Sequence, residues 1–217
     1  MHCNVRSLRA HLHHFESSLD TSQPTMFSLN ETWLDGSVKA LPVHGYTCVS
    51  RRDRHALDNR GGIATYVRTE QNCIVHLEDS LDCEISWHIL HVNLGPVLFV
   101  SWYRQRDDLN AINVFIATWQ RLSADTIGII VVGDLNVHHS SWLVHSSGNT
   151  PAGRLLWEFC RSHGFRQTVP QPTHGDYLLD LVLTDLDSLV TSTVHPGISD
   201  HDIVSSTLNV SAHNLFA

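Results

Sequence analysis

Ile127-Gly128-Ile129-Ile130-Val131-Val132 is the most hydrophobic run in the chain, and it passes directly into Gly133-Asp134-Leu135-Asn136. A short apolar run rich in β-branched residues and closed by a glycine predicts a buried strand. Working outward, strand-like runs also occupy Thr25–Asn30, Gly62–Arg68, Val97–Tyr103, Leu178–Leu183 and Ile203–Val210. Three stripes at helical spacing lie between groups of these strands. They are Val5, Leu8, Leu12, Phe15 and Leu19; then Ile112, Phe115, Trp119 and Leu122; then Leu155, Leu156, Phe159 and Cys160, stopped by Gly164. Helices do not alternate strictly with strands. The order therefore predicts an α/β fold of two packed sheets flanked by helices, not a doubly wound parallel sheet.

A chain of 217 residues can bury one sizeable core, so a single domain over residues 1–217 is expected. Hydrophobic residues at 42% and charged residues at 17% place it with globular rather than disordered proteins. No apolar run approaches the roughly 20 residues that span a bilayer, and Met1-His2-Cys3-Asn4 leads into no signal-peptide-like stretch. A soluble, intracellular protein with no membrane partner is expected. Cys3, Cys48, Cys73, Cys83 and Cys160 are odd in number and lack any Cys-x-x-Cys pair. That argues for reduced, mostly structural cysteines rather than a disulfide framework or zinc knuckle.

The formal charge of −8 argues against a simple nucleic-acid binder unless positive charge is concentrated. It is concentrated: Arg51, Arg52, Arg54, Arg60 and Arg68 share one segment, Arg104 and Arg106 another, and Lys39 is the one lysine. Arginine suits forked contacts to phosphate oxygens. A solvated charged loop is the plainer account of the same residues.

Polar residues recur where apolar strands end. Glu31 closes one, Tyr103 another, and Asp134 with Asn136 follows the run quoted above. Strand ends let a rigid scaffold aim side chains into a common pocket, although Gly133-Asp134-Leu135-Asn136 is also an acceptable turn sequence. Asp180 lies within Tyr177–Leu183, which looks buried, and a buried carboxylate needs a partner. An imidazole would serve, and His201, just before the last strand, is the candidate. The alternative puts Asp180 on the solvent face of an edge strand. Among the 17 histidines, His11, His13, His14, His138 and His139 lack companions at zinc-ligand spacing and are expected at the surface.

Taken in order, Asn4–Leu8, Glu31–Leu34, Gly61-Gly62, Tyr103, Gly133–Asn136, Pro172-Thr173-His174, Leu179–Thr184 and Ser199-Asp200-His201 resemble the endonuclease/exonuclease/phosphatase superfamily across the whole chain. Within it, the sequence is most similar to the endonuclease domain that opens the polyprotein of non-LTR (LINE-type) retrotransposons. The resemblance implies a four-layer α/β sandwich of mostly antiparallel sheets, and a magnesium-dependent enzyme, with manganese as substitute, that nicks double-stranded DNA. It implies that Glu31, with Asn4 and Asp200, lines the metal and phosphate site. Asp134 would activate the attacking water with Asn136 beside it, Tyr103 would lie near the scissile phosphate, and His201 held by Asp180 would polarise that phosphate. Thr173 and Ser199 match polar positions facing DNA, and Arg51, Arg52, Arg54 and Arg104 are candidate phosphate contacts. The nick would leave a 3′-hydroxyl that primes reverse transcription by the reverse transcriptase of the same polyprotein. On this view the chain is a monomeric domain of a longer protein that acts in the nucleus.

Such chemistry needs these groups on physical grounds. A phosphodiester gains charge in the transition state, so a hard cation and nearby donors must neutralise it, and magnesium prefers oxygen ligands. Two departures qualify the resemblance. Arg6 stands where the DNA-repair branch carries an acidic residue, which points away from abasic-site repair. The connection from Thr173 to Asp180 is shorter than in mammalian LINE enzymes, so weak target specificity through arginine–phosphate contacts and DNA deformability is expected. The sequence is also compatible with two alternatives: the same fold acting on a lipid or RNA phosphodiester, and a retired nuclease that only binds DNA.

Overall fold

The computed structural model of the protein describes residues 1–38, 41–54 and 60–213; Lys39 lies outside them. One six-stranded sheet runs in the order β11 (Val190–His195), β12 (Ile203–Leu208), β1 (His2–Asn4), β2 (Met26–Asn30), β4 (Ile63–Arg68) and β3 (Tyr46–Arg52). The other runs β5 (Ile74–Asp79), β6 (Glu84–Val92), β7 (Gly95–Tyr103), β8 (Ile129–Asp134), β10 (Asp180–Thr184) and β9 (Arg166–Gln167). Each sheet has one parallel pair, β1 with β2 and β7 with β8, and its other pairs are antiparallel. The mostly antiparallel, two-sheet expectation therefore holds.

Side-chain alternation sorts the layers. On β2, Phe27 points outward to meet Phe15 of helix α1 (Leu8–Ser22) at 5.1 Å, edge to face. Its neighbour Ser28 points inward, where its hydroxyl lies 2.5 Å from that of Ser101 on β7 across the buried interface between the sheets. On β7, Trp102 turns outward and stacks at 4.8 Å on Phe115 of helix α2 (Asn110–Leu122), which in turn meets Phe159 of helix α3 (Pro151–Ser162). The layers are thus α1, first sheet, second sheet, and α2 with α3. Helices α1 and α3 begin where capping chemistry places them: Ser7 accepts from Ala10 N–H, and Thr150 from Gly153 N–H ahead of Pro151.

Three details depart from expectation. The arginine-rich segment is not all loop, since Arg51 and Arg52 sit on β3. Asp134 is the last residue of its strand and Asp180 the first of its own, so both are held by ladder hydrogen bonds. The glycine of the Gly133-Asp134 step serves close approach rather than a turn, because a Cβ on Gly133 would fall 1.7 Å from the Trp102 carbonyl oxygen. Among the described residues no helix is long and apolar enough to cross a membrane. All five cysteines are free; four are buried and Cys48 is exposed.

Candidate active site

The period-two alternation that turns Trp102 outward also turns Tyr103 inward, and the same count puts Asn4, Asn30, Asp134 and Asp180 on inner faces at one end of both sheets. Asp134 and Asp180 are direct cross-strand partners on β8 and β10. Like charges directly opposite each other repel, and here both carboxylates are buried, with exposures of 1% and 0%. Cationic and amide groups compensate. His201 Nδ1 lies 2.7 Å from Asp180 Oδ2, and its Nε2 lies 3.9 Å from Asp134 Oδ2. His2 Nε2 bonds the other Asp180 oxygen at 3.0 Å.

Glu31 joins the same web. Asn4 Nδ2 donates to Glu31 Oε1 at 2.8 Å and to Asp134 Oδ2 at 2.9 Å, tying the end of β2 to the end of β8. Tyr103 hydroxyl donates to Glu31 Oε1 at 3.1 Å, and Trp33 Nε1 to Glu31 Oε2 at 3.1 Å. Glu31 and Asn136 both have positive φ, 52° and 48°, a left-handed conformation that non-glycine residues adopt at some energetic cost and often at functional sites. Asn30 is a member that sequence reasoning missed: its Oδ1 accepts from Asp134 N–H at 2.8 Å. His2 was missed as well. The available signal was that His2 and Asn4 alternate on one short strand, and Asn30 with Ser28 on its neighbour.

The electrostatics divide these groups. Burial, reinforced by the charge of Asp180, pushes the Asp134 pKa up to about 7 against the opposing pull of His201 and Asn4. Burial also acts to raise Asp180, yet His201 and His2 hold it well below the usual carboxylate range. Burial acts to lower His201, but Asp180, Asp134 and Asp200 together lift it to about 9. Tyr103 is pushed up by burial and by the charges of Glu31 and Asp134. Near neutrality the centre therefore holds an imidazolium clamped on Asp180, beside a carboxyl poised to exchange a proton.

At the exposed rim, Arg6 bonds Asp200 Oδ2 through Nη1, and its Nε lies 4.0 Å from Glu31 Oε2. His174 Nε2 also reaches Asp200 Oδ2, at 3.1 Å. Glu31, Asp134 and Asp200 present only oxygen donors, which suits magnesium, an ion that keeps several waters and needs few protein ligands. Asn4 fits less well as a ligand. Its amide nitrogen faces the carboxylates, while its Oδ1 accepts from Arg6 N–H at 3.3 Å.

Several candidate DNA contacts have other roles. Arg104 is 1% exposed, and its guanidinium donates to the carbonyls of Leu135, Arg106, Asp108 and Asn136. Arg51 is forked onto Asp53 and also donates to the Asp35 and Val38 carbonyls. Arg54 pairs with Glu84 at 2.5 Å and lies over the Tyr103 ring, and Arg52 donates to the Leu81 carbonyl. Buried acceptors at loop turns need donors, and a guanidinium supplies five. Thr173 is 1% exposed, and its hydroxyl accepts from Leu179 and Asp180 N–H, so it braces Asp180. Ser199 donates to the Asn4 carbonyl and accepts from His201 N–H, which orients the loop. Asn136 Nδ2 donates to the Arg104 carbonyl. His139 is 5% exposed and stacks on Trp157, which corrects its surface assignment.

A family model described as endonuclease-reverse transcriptase matches residues 97–205, just over half of the chain, and spans Tyr103, Asp134, Asp180 and His201. No curated protein matches the chain in sequence. In three dimensions the chain is similar to the endonuclease domain of TRAS1, a telomere-specific non-LTR retrotransposon. The TM-score is 0.76 at 15% identity, over 96% of this chain and 97% of that one. It is also similar to the catalytic domain of Xenopus laevis APE2 (TM-score 0.77, 14% identity, covering 100% and 93%). The AP endonuclease LMAP from Leishmania major gives a TM-score of 0.73 at 17% identity, covering 98% and 86%. At such identities these structures speak for the fold, and the family follows from the sequence model: the chain belongs to the endonuclease-reverse transcriptase family, within the endonuclease/exonuclease/phosphatase superfamily.

Proposed function

We propose that this chain nicks double-stranded DNA by magnesium-dependent hydrolysis of a phosphodiester, leaving a 3′-hydroxyl and a 5′-phosphate, and that it does so as one domain of a retrotransposon polyprotein whose reverse transcriptase extends that 3′ end. The observation that carries this reading is the setting of Asp134. It is fixed by Asn30 and Asn4, faces Asp180 across the ladder, and lies 3.9 Å from an imidazole held by that same Asp180. Glu31 and Asp200 are the residues that would hold magnesium, which supplies charge neutralisation at the phosphate when bound.

The chain's own groups account for the rest. Asp134, with its pKa raised to about 7, is suited to accept the proton of the attacking water. The water oxygen bonds to phosphorus as the bond from phosphorus to the 3′ oxygen breaks, and that oxygen takes up a proton. His201, charged near neutrality, donates to a non-bridging phosphate oxygen from Nε2 while Asp180 fixes its ring. Asn4 and Tyr103 hold the Glu31 carboxylate in place. The tight turn closed by the bridge between His174 and Tyr177 leaves no long hairpin before Asp180, which supports loose target selection.

Supercoiled plasmid incubated with magnesium should convert to the open circle. Asp134→Asn and His201→Ala should each slow this by about 10²–10⁴-fold while keeping the native circular-dichroism spectrum. Undiminished nicking by either variant removes the mechanism. Sequencing the nicked ends tests the specificity claim, since a single long recognition sequence would contradict it.

A further inference from the structure

The rim of the site contains a second set of donors with a different chemical preference. His174, Asp200 and His201 each offer one ligand atom, and these atoms all lie within 4.8 Å of one another. The His174 and His201 rings are 4.5 Å apart, and His174 Nε2 is already 3.1 Å from Asp200 Oδ2. We propose that these three side chains form a binding site for a borderline transition-metal dication, zinc above all, which overlaps the oxygen-only set that suits magnesium at Asp200 alone, and that its occupation withdraws His201 and Asp200 and inhibits the enzyme.

Two imidazoles and one carboxylate disfavour magnesium, which takes oxygen ligands, and suit zinc or cobalt. Three protein ligands with positions left open to water match the pattern of accessible zinc sites. His201 also has the outer partner that zinc-bound histidines have: Nδ1 is committed to the Asp180 carboxylate at 2.7 Å, which fixes the ring and leaves Nε2 as the ligand atom once the incoming metal has displaced its proton to solvent. The other donor triplet, Asp134, Asp180 and His201, lies wholly buried, and its atoms are already committed to one another and to His2, Asn4 and Asn136. The rim set is reachable. His174 and Asp200 are 36% and 41% exposed, and His174 is anchored by the turn that pairs it with Tyr177. Bond lengths near 2.0–2.1 Å require the ligand atoms to draw together by about an ångström, a movement open to the exposed side chains of His174 and Asp200 around the buried ring of His201. Arg6 shares Asp200, so a bound dication would displace its guanidinium from one carboxylate oxygen.

The inhibitory half of this proposal rests on the nuclease reading; the metal site does not. The test therefore begins without DNA or magnesium, titrating the intact chain with Co²⁺ and following visible absorption. One Co²⁺ per chain should give absorption bands that Zn²⁺ then abolishes. His174→Ala and His174→Gln should both lose the bands, while a His11→Ala/His14→Ala control on α1 should keep them. Full-strength bands in both His174 variants, or none in the native chain, would overturn the site. In a second arm, zinc should suppress magnesium-supported nicking, and His174→Gln should need about tenfold more zinc or beyond for the same effect. Equal zinc sensitivity in the two proteins would overturn the inhibitory role. If the native chain nicks nothing, the nuclease reading fails while the cobalt titration still judges the metal site.

Discussion

At the scale of single residues, the centre trades stability for chemistry, and Asp134 shows where. Its folded pKa of about 7 exceeds the ordinary aspartate value of 3.8, so the unfolded chain gives up this proton first as pH rises. Stability therefore falls between those two values and stays reduced above the higher one. Asp134→Asn removes that penalty, which is on the order of a few kcal/mol. In the presence of a chelator, the variant should melt roughly 5–10 °C above the native protein at pH 8 and close to it at pH 4, while losing nicking activity. A constant difference across that range would mean that the charge of Asp134 is not what the fold is opposing. The catalytic rate should itself rise through pH 7 as Asp134 ionises and fall above about pH 9 as His201 loses its proton. Glu31, Asp134, Asp180 and His201 were legible because carboxylates and imidazoles at the ends of apolar strands have few structural excuses. His2 and Asn30 were not, since their roles depend on which face of a three- and a five-residue strand they occupy.

At the scale of elements, what brings β7 and β8 close enough to align Tyr103 with Asp134 is the missing side chain at Gly133. A Cβ there would sit 1.7 Å from the Trp102 carbonyl oxygen, and that atom is backbone in a buried strand, unable to yield. Gly133→Ala should cost about 3 kcal/mol or more, or prevent folding, whereas Gly36→Ala, which meets nothing within 4 Å, should stay within about 0.5 kcal/mol of native. Urea denaturation of the pair measures the difference, and similar midpoints would show that the strands can separate without harm. Elements followed the sequence where packing is one-sided. The stripes Ile112, Phe115, Trp119 and Leu155, Leu156, Phe159 became α2 and α3. The pattern failed at β6, where Glu84, Ser86 and His88 face inward to Arg54, Asp79 and Ser50. Mutual hydrogen bonding makes a polar inner face tolerable there, and it erases the apolar run that a reader of sequence looks for. Short or edge strands such as β9, β11 and β3 bury too little surface to impose any pattern.

At the scale of the whole molecule, a chain of formal charge −8 must approach a polyanion. The arginines that sequence reasoning assigned to this task are largely committed inside the protein: Arg51 to Asp53, Arg54 to Glu84, Arg104 to four carbonyls. Arg6, with 44% of its side chain exposed beside Glu31 and Asp200, stands at the mouth of the site instead. Binding should therefore be weak without a divalent cation and only mildly salt-dependent, because few phosphates are neutralised. With two or three such contacts, the slope of log affinity against log salt should be about −2 to −3. Arg6→Ala should flatten it by about one. Arg51→Ala should leave the slope unchanged and lower the melting temperature, since it strips donors from the Asp35 and Val38 carbonyls. Fluorescence anisotropy on a labelled duplex, in chelator and across a range of NaCl, reads all three proteins in one experiment. A slope of −6 or steeper in the native chain, or a loss of slope in the Arg51 variant, would return the DNA contact to the β3 arginines.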